Sequence, residues 1–425
     1  RFGRFEFHAQ RVGSDFVFTA PIMASGNIGV EILAKDKLAP KSPFYGGVNY
    51  IEMSVNEKPV FNQAIDKINI AETRGIYTLM DYKAMRVNGD RFYKLYIDDG
   101  NDLDFYDKSP SPGKIAVSGG RDIDVKIMVK DHFGNASNVS FRLKPAPVVK
   151  EVLLPGASGP EIGYDVLENT VVVSANRCGD STVTVFARAG KRTAQPDYYD
   201  NTRAVYLLDL RREIPDSVSI CGKTVTTNFR AVVPPGIAYN YYSDAMDIHF
   251  PEGSVYDTVY LTTYHGITND SIGVYNIGSR MNPLNKAIQV ILRPSSKVDW
   301  DKSYAVYRRA GKGYSYLGGG WQNGGVHFST REFGDFVIMR DLVPPTIRAV
   351  AVNNYIARFK IKDDLSGISK FEATLDGKWL LMHYDPKTSS IWSEQLDKKK
   401  PLRGSFKLVL TDNAGNETTY TKQIP

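Results

Sequence analysis

The sequence predicts an all-β protein that is built from tandem immunoglobulin-like β-sandwich modules. One pattern carries this prediction: strand-like runs that end in an Asp-x-x-Gly-Asn turn occur near the beginning, at 131–135, and again at the end, at 412–416. Aromatic residues make up 12% of the chain, and its 36 Gly and 22 Pro are spread along it, which is typical of short strands joined by tight turns. Long helices are not expected, because the best candidate, 61–73, would form only a turn or two.

The first module is predicted over residues 1–147, where a Pro-Ala-Pro sequence forms a linker. Its second strand-like run turns at 56–58. Residues 60–120 are longer than the matching part of the last module, so we expect an insertion there. The insertion holds an acidic loop at 98–104, which we interpret as a solvated turn because it lacks the ligand spacing and the terminal Glu of a calcium loop.

Two further β-sandwiches are predicted in the middle of the chain, over 148–236 and 237–342. A Val-Pro-Pro-Gly sequence at 233–236 separates them. The glycine-rich stretch 311–321 is not expected to bind phosphate, because it does not follow a strand and open a helix. We predict a hairpin there with aromatic cross-strand pairs.

The C-terminal module is predicted over 343–425, an immunoglobulin-like size, and two prolines form a stiff spacer at its start. Two of its runs alternate in polarity, which predicts one face turned to a core. The inward residues are Ala357, Phe359, Ile361, Phe406, Leu408 and Leu410. We also expect Trp379, which follows a turn at Asp376 and Gly377, to pack in this core against Phe359 or Phe406.

Calcium binding is the functional alternative for the two Asp-x-x-Gly-Asn turns. The Asp side chain can accept hydrogen bonds from amides two residues on, and Gly and Asn tolerate positive φ, so the residues suffice as turn chemistry. No third and fourth oxygen ligand follows at a fixed spacing. The sequence therefore predicts no metal site.

Charge and hydropathy exclude several classes of function. The formal charge is +6, and Lys and Arg alternate with Asp and Glu, so nucleic acid is not an expected partner. No run approaches the roughly 20 apolar residues that cross a bilayer, so no transmembrane segment is predicted. The sequence opens at Arg1 without an initiator Met or a signal sequence, and we expect it to be a piece of a longer protein.

The sequence contains no motif for catalysis. The six histidines are scattered, and there is no His-x-His, His-Glu-x-x-His or Cys-x-x-Cys, which are typical of zinc sites. There is also no Gly-x-Ser-x-Gly elbow. We therefore predict no catalytic residue, no cofactor-binding residue and no cofactor.

Aromatic residues in polar loops are the remaining candidates for binding. Tyrosines at 197–200 and at 239–242 could stack on a sugar or on a protein partner. We favour the alternative that each ring packs under its own loop.

The two cysteines, Cys178 and Cys221, both precede Gly in strand-like surroundings. They form either a disulfide in an exported protein or two separate buried thiols. The sequence alone does not decide between these alternatives.

Two parts of the sequence resemble a known family. Over 25–145 the similarity is carried by the runs 47–53, 72–74, 81–82 and 129–135. Over 341–425 it is carried by 341–347, 364–368, 376–382, 384–385, Lys387 and 412–416. These runs resemble the C-terminal non-catalytic region of Bacteroidota zinc metallopeptidases of the lysostaphin/LytM type, the murein endopeptidase family that cuts peptidoglycan cross-links.

One departure from this family bears on mechanism. The family holds zinc with a His and an Asp in one motif and with the last His of a His-x-His, and this chain has no His-x-His. The run 247–250 is only superficially similar to it. The resemblance thus implies a catalytic domain before Arg1, absent from this chain. It also implies a location in the periplasm or at the periplasmic face of the outer membrane.

Two interpretations of function from different classes follow, and we favour the first for the chain itself. In the first, the chain is a non-catalytic, multi-module envelope region that serves as a scaffold or protein-binding subunit of a periplasmic or outer-membrane assembly, such as a secretion or surface assembly. In the second, it is the accessory region of a peptidoglycan-cleaving zinc endopeptidase, so whether the full-length protein is an enzyme stays open. A glycan-binding module is a further alternative. The expected partners are other envelope proteins or peptidoglycan.

Three tripeptides place Ser217, Thr258 and Ser271 between an Asp and an aliphatic residue. They resemble the acceptor sites of Bacteroidota envelope O-glycosylation, although such tripeptides often arise by chance. Glycans at these residues would place the chain outside the cytoplasm.

Overall fold

A computed structural model describes most of the chain. The described residues are 3–37, 39, 41–106, 112–146, 151–152, 161–179, 181–200, 203–268, 271–295, 299–395 and 400–425. Nearly all of its regular structure is β, which confirms the predicted fold class of tandem immunoglobulin-like β-sandwiches. The helical segments found among these residues are short: Ile70–Gly75, Ile76–Leu79 and Tyr82–Asn88.

The chain forms two compact units. Unit 1 consists of Arg1–Ile237, Glu252–Thr262 and Ser279–Lys286, and unit 2 consists of Ala238–Pro251, Thr263–Gly278 and Ala287–Pro425. Separate hydrophobic cores lie within each unit. The finer division into modules at 147, 236 and 342 stays a prediction.

The first part of unit 1 is organised around one large sheet. Its strands follow in the order Gln10–Val12, Asp15–Val17, Ala136–Pro145, Ile123–Lys130, Tyr50–Val55 and Lys58–Ala64, with Ile22–Ala24 also paired to Ala136–Pro145. Val125 and Ile127 are buried, whereas Asp124 and Lys126 between them are exposed, as alternation along a strand requires. The predicted turn at 56–58 is confirmed.

Small elements accompany this sheet, and the insertion at 60–120 stays a prediction. Three two-stranded sheets pair Glu31–Ile32 with Tyr93–Lys94, Gly26–Ile28 with Ile115–Val117, and Asp36–Lys37 with Tyr45–Gly46. The helical candidate 61–73 was wrong at its start, because residues 61–64 continue a strand. The longer helix, Tyr82–Asn88, begins where the Asp81 carboxylate accepts a hydrogen bond from the Ala84 amide, and it ends at Gly89 with φ 79°.

The second part of unit 1 contains two sheets. One has the order Glu151–Val152, Tyr198–Asp200, Arg203–Asp209, Thr170–Asn176 and Ile162–Leu167, and the other has the order Gly190–Ala194, Val183–Ala187, Pro215–Ile220 and Lys223–Thr226. Phe229–Val233 pairs with residues 259–262 of the strand Val259–Thr268. Cys178 and Cys221 form a disulfide, with their Cα atoms 6.5 Å apart.

Unit 2 begins with two further sheets. In one, residues 263–268 are followed by Ser271–Ile277, Gly334–Arg340, Tyr304–Ala310 and Gly313–Gly318. In the other, the order is Tyr239–Tyr242, Met246–Phe250, residues 287–292 of the strand Pro283–Leu292, Gly325–Glu332 and Gly320–Gln322. The predicted glycine-rich hairpin is confirmed, because Tyr307 lies opposite Tyr316 with the ring centroids 5.7 Å apart.

The C-terminal part of unit 2 is a sandwich of two four-stranded sheets. The first has the order Thr346–Val352, Ala357–Lys362, Ser390–Ser393 and Met382–Asp385, and the second has the order Lys378–Trp379, Ile368–Leu375, Gly404–Asp412 and Glu417–Ile424. The six residues predicted to face the core are all buried. The Phe359 and Phe406 rings stack across the sandwich with their centroids 5.6 Å apart.

The prediction that Trp379 belongs to this core was wrong. Its ring is 67% exposed, whereas Leu380 packs against the core and Met382 is buried. Trp379 ends a strand of only two residues, and the side chains after it that reach the core are Leu380 and Met382. Because side chains alternate along a strand, an error of one residue in register places a ring on the opposite face.

Candidate functional site

The two tyrosine segments that the sequence placed in polar loops lie in the strands Tyr198–Asp200 and Tyr239–Tyr242, so the loop prediction was wrong. Tyr198 is buried, and the Arg177 guanidinium lies 4.1 Å from the centre of the Tyr199 ring. In the second segment, the Tyr241 and Thr263 hydroxyls are 3.0 Å apart, but the Tyr242 side chain is 70% exposed. The prediction that these rings pack under their own chain is therefore confirmed for Tyr198 and wrong for Tyr242.

A more developed site lies on the C-terminal module, at residues that the sequence analysis did not single out. It is an open depression of about 550 Å³, which we call the aromatic cleft, lined by Tyr355, His383, Trp392, Ser393, Glu394 and Gln395. The paired strands Met382–Asp385 and Ser390–Ser393 form one side of it. His383 and Trp392 are directly opposite each other on these strands, and their rings stack with centroids 5.6 Å apart.

Tyr355 forms the other aromatic wall of the cleft. It lies in a turn in which the Asn353 side chain accepts hydrogen bonds from the amides of Tyr355 and Ile356, at 2.9 and 3.1 Å. The turn is thus fixed by an Asx bond, while the ring itself is 80% exposed. A large aromatic side chain held at the surface in this way presents its face to a ligand.

Polar groups lie beside these rings. His383 Nε2 is hydrogen-bonded to the Glu394 carboxylate, and both side chains are about half exposed. The Gln395 amide donates to the carbonyl oxygens of Asn354 and Lys400, at 3.1 and 3.2 Å, so its orientation is set by the backbone and its oxygen stays an acceptor. The cleft therefore combines flat apolar faces with a carboxylate and an oriented amide.

A second group of aromatic residues, of which Trp321 is exposed and the others are half-buried, lies in the preceding part of unit 2, and we call it the tryptophan stack. The Trp300 ring is 5.5 Å from Tyr304 and 6.0 Å from Trp321, measured between centroids. The Arg340 guanidinium lies 5.2 Å from the Tyr304 centroid and donates a hydrogen bond of 2.9 Å to the Asp301 carboxylate. Trp321 is 38% exposed, so this stack is partly open to solvent.

Carboxylates that are distant in the sequence meet in unit 2. One oxygen from each of Asp341, Asp363 and Asp412 lies within 4.8 Å of the other two. The sequence favours a turn role for Asp412, with calcium binding as the alternative, and it does not indicate Asp341 or Asp363 as ligands. The sequence signal for the cluster is the position of each residue at a strand end. Asp341 and Asp363 each directly follow a strand, and Asp412 is the last residue of one.

Two of the three modification candidates, Ser217 and Thr258, are half-buried in the structure. Ser217 is half-buried within the strand Pro215–Ile220, and Thr258 is half-buried just before the strand Val259–Thr268. Asp270, which precedes Ser271, lies outside the described residues, and so does the Ser271 side chain. Glycosylation at these positions stays a prediction.

Across the described part of the chain, no helix is both long and apolar enough to span a membrane. The paired sheets and their separate cores define a chain of immunoglobulin-like β-sandwiches, with aromatic surfaces on unit 2.

The profile of the Zu5-like domain family matches residues 233–341, which is less than half of the chain. No curated protein matches the sequence.

The solved structures that the comparison matches to this chain have low sequence identity and low TM-scores. One is the SGBP-B protein of the mixed-linkage glucan utilisation locus of Bacteroides ovatus, in complex with a mixed-linkage heptasaccharide. Its sequence is 9% identical, the match covers 99% of this chain and 69% of that chain, and the TM-score is 0.16. Another is a 1.5-MDa bacterial ice-binding adhesin, with 8% identity, coverage of 88% and 83%, and a TM-score of 0.13. At these TM-scores neither structure carries an inference about function. The resemblance to the LytM-type peptidases stays a prediction.

Proposed function

We propose that this chain is a binding region of a cell-envelope protein, without catalytic chemistry of its own, and that its C-terminal module holds a saccharide chain in the aromatic cleft. The observation that carries this proposal is the stacked pair of His383 and Trp392, facing the exposed Tyr355 ring and edged by Glu394 and Gln395. The scaffold interpretation is kept as a second candidate.

The chemistry of the cleft supports a sugar as the ligand. A sugar ring has a C–H face, which packs on an aromatic ring, and hydroxyl groups at its edge, which need hydrogen-bond partners. The Glu394 carboxylate is a strong acceptor, and the Gln395 amide is already oriented by two backbone bonds. Because the cleft is open along the surface, it suits part of a longer chain better than an enclosed small molecule.

Two features support a location in the cell envelope. The Cys178–Cys221 disulfide is of the kind that persists in oxidising compartments. The resemblance to LytM-type peptidases adds peptidoglycan as the expected saccharide, in the periplasm or at the periplasmic face of the outer membrane. In that case the chain is the accessory region of a murein endopeptidase and holds the glycan strand near a separate zinc domain.

Calorimetric titration with soluble peptidoglycan glycan strands tests this proposal. Trp392→Ala and Tyr355→Ala each remove a stacking face, and we expect binding about tenfold weaker, which corresponds to about 1.4 kcal/mol. Trp379→Ala is the control, because it removes an exposed ring of the same module that does not line the cleft. Unchanged affinity in both cleft variants, or no binding of glycan strands by the wild type, would rule out this function.

A protein partner is the second candidate function, and the tryptophan stack favours it. Trp, Tyr and Arg are the residues most enriched at the centres of protein interfaces, and here Trp300, Trp321, Tyr304 and Arg340 are adjacent. A photo-crosslinking residue at position 321 would then yield one discrete adduct in envelope preparations. The same residue at position 379 serves as the control, and equal labelling from both positions would argue against a docking surface at the stack.

A further inference from the structure

The three carboxylates of unit 2 meet where the C-terminal sandwich joins the strand before it. Asp341 directly follows the strand Gly334–Arg340, Asp363 directly follows Ala357–Lys362, and Asp412 ends Gly404–Asp412. Asp341 and Asp412 are only 1% and 2% exposed, and Asp363 is half-buried. Three acidic groups this close together and this far from water repel one another strongly.

The hydrogen-bond donors to these carboxylates are uncharged amide groups. The Asp341 oxygens accept from the amides of Val343 and Ser366, at 3.1 and 3.0 Å. Asp412 accepts from the amide and the side chain of Asn416, at 2.8 and 2.9 Å. Within the described ranges, no Lys, Arg or His forms an ion pair with any of the three. The negative charge of the cluster therefore lacks a matching cation.

Two buried hydroxyls provide a second and independent observation. Tyr307 is 0% exposed and Ser366 is 2% exposed, and neither hydroxyl has a hydrogen-bond partner in the described structure. Tyr307 belongs to a small core against which Leu365, the second residue after Asp363, packs, and the Ser366 amide donates to the Asp341 carboxylate at 3.0 Å, so both residues lie beside the cluster. Buried polar atoms are rarely left without a partner, and their presence beside the carboxylates indicates a missing ligand.

We propose that Asp341, Asp363 and Asp412 bind a calcium ion. All the available ligand atoms are oxygens, which suits a hard cation and not zinc. Calcium takes six to eight oxygens in flexible geometry, whereas magnesium demands a near-ideal octahedron, so three carboxylates with hydroxyls and water fit calcium better. The hydroxyls of Tyr307 and Ser366 bind the ion or its water molecules. This proposal departs from the sequence-based prediction of no metal site.

The ion has a mechanical consequence that does not depend on the proposed saccharide ligand. Asp341 belongs to the chain just before the C-terminal sandwich, while Asp363 and Asp412 belong to the sandwich itself. A cation shared by the three fixes this junction, because separating the two sides would expose uncompensated carboxylates. Calcium removal then loosens the junction without unfolding either side.

Titration of the full chain with calcium chloride, after treatment with EDTA, tests the site. We expect one ion per chain with a dissociation constant on the order of 10⁻⁴ M or tighter, and a melting temperature that rises with calcium concentration. Asp363→Asn and Asp412→Asn keep the side-chain shape but remove one charge, so each should weaken binding about tenfold or more. Magnesium chloride at the same concentration should raise the melting temperature less.

Asp364→Asn is the matched control. Asp364 is adjacent in sequence, but its side chain is 76% exposed and pairs with Lys362, so calcium affinity should be unchanged. If Asp412→Asn fails to fold, the half-buried Asp363 still provides the test. The proposal is overturned if no ion binds to the wild type, or if Asp363→Asn binds calcium as tightly as the wild type. It is also overturned if Asp363→Asn and Asp412→Asn both raise the melting temperature while calcium does not change it. The three carboxylates would then only repel one another, with no cation bound between them.

Discussion

Replacing Phe406 with Ala should remove much of the stability of the C-terminal module. Phe406 and Phe359 are both fully buried, and their rings stack with an interplanar angle of 14°. Truncation of a buried Phe to Ala costs about 3–5 kcal/mol, because the transfer energy is lost and a cavity remains. A module the size of residues 343–425 is expected to be stable by about 4–12 kcal/mol, so this loss is about a quarter of the total or more.

Urea unfolding of the isolated fragment 343–425, followed by circular dichroism, measures this loss. A module of this size unfolds with an m-value of about 1 kcal/mol/M in urea, so the midpoint should fall by about 3 M or more. Trp379→Ala is the comparison, because its ring is 67% exposed. We expect a change within about 0.5 kcal/mol for that variant, as for most surface substitutions.

Two outcomes would refute this reasoning. If Trp379→Ala lowers the midpoint as much as Phe406→Ala, the burial pattern does not describe the core. If the wild-type fragment is unfolded, the module depends on the preceding residues, and the cores do not act as independent units.

Two further predictions concern unit 1. Replacing Cys178 and Cys221 with Ser opens a loop with a sequence separation of 43 residues, which should cost about 4 kcal/mol by the chain-entropy estimate, and thermal unfolding with and without reductant measures it. A wild-type melting temperature that does not respond to reductant would contradict this. Hydrogen bonds from Arg211 lower the pKa of Asp209 to about 2 from 3.8, so its stabilising contribution is complete above pH 3.8 and is lost as the pH falls towards 2. Asp209→Asn should therefore reduce the loss of stability on acidification, and an identical pH profile would show that this pair does not contribute.

Local chemistry made much of the fold predictable from the sequence. The alternation at Phe359 and Phe406 requires a buried face, and the turn after Thr374 and Leu375 has positive φ at both Asp376 and Gly377, at 49° and 75°. The face of Trp379 was not predictable in the same way, since it depends on the register of a strand of only two residues.

The aromatic cleft was not predictable because its rings come from separate segments. His383 and Trp392 become neighbours only through the register of two paired strands, and Tyr355 is brought to them by the fold of the sandwich. In the sequence, each of these residues is indistinguishable from an ordinary strand or turn aromatic. A site of this kind follows from tertiary packing and not from spacing along the chain.

The two Asp-x-x-Gly-Asn turns show how one motif acquires two different roles. In both, the Asp carboxylate accepts a hydrogen bond from the amide of the last Asn, at 2.8 Å from Asn135 to Asp131 and at 2.8 Å from Asn416 to Asp412. Asp131 lies near the surface of unit 1, where the turn alone accounts for it. Asp412 is buried beside two other carboxylates, because its strand pairs with Ile368–Leu375, and this pairing brings the 363–367 loop against it. The motif therefore specifies the turn, and the surrounding sandwich decides whether its carboxylate can also serve as a ligand.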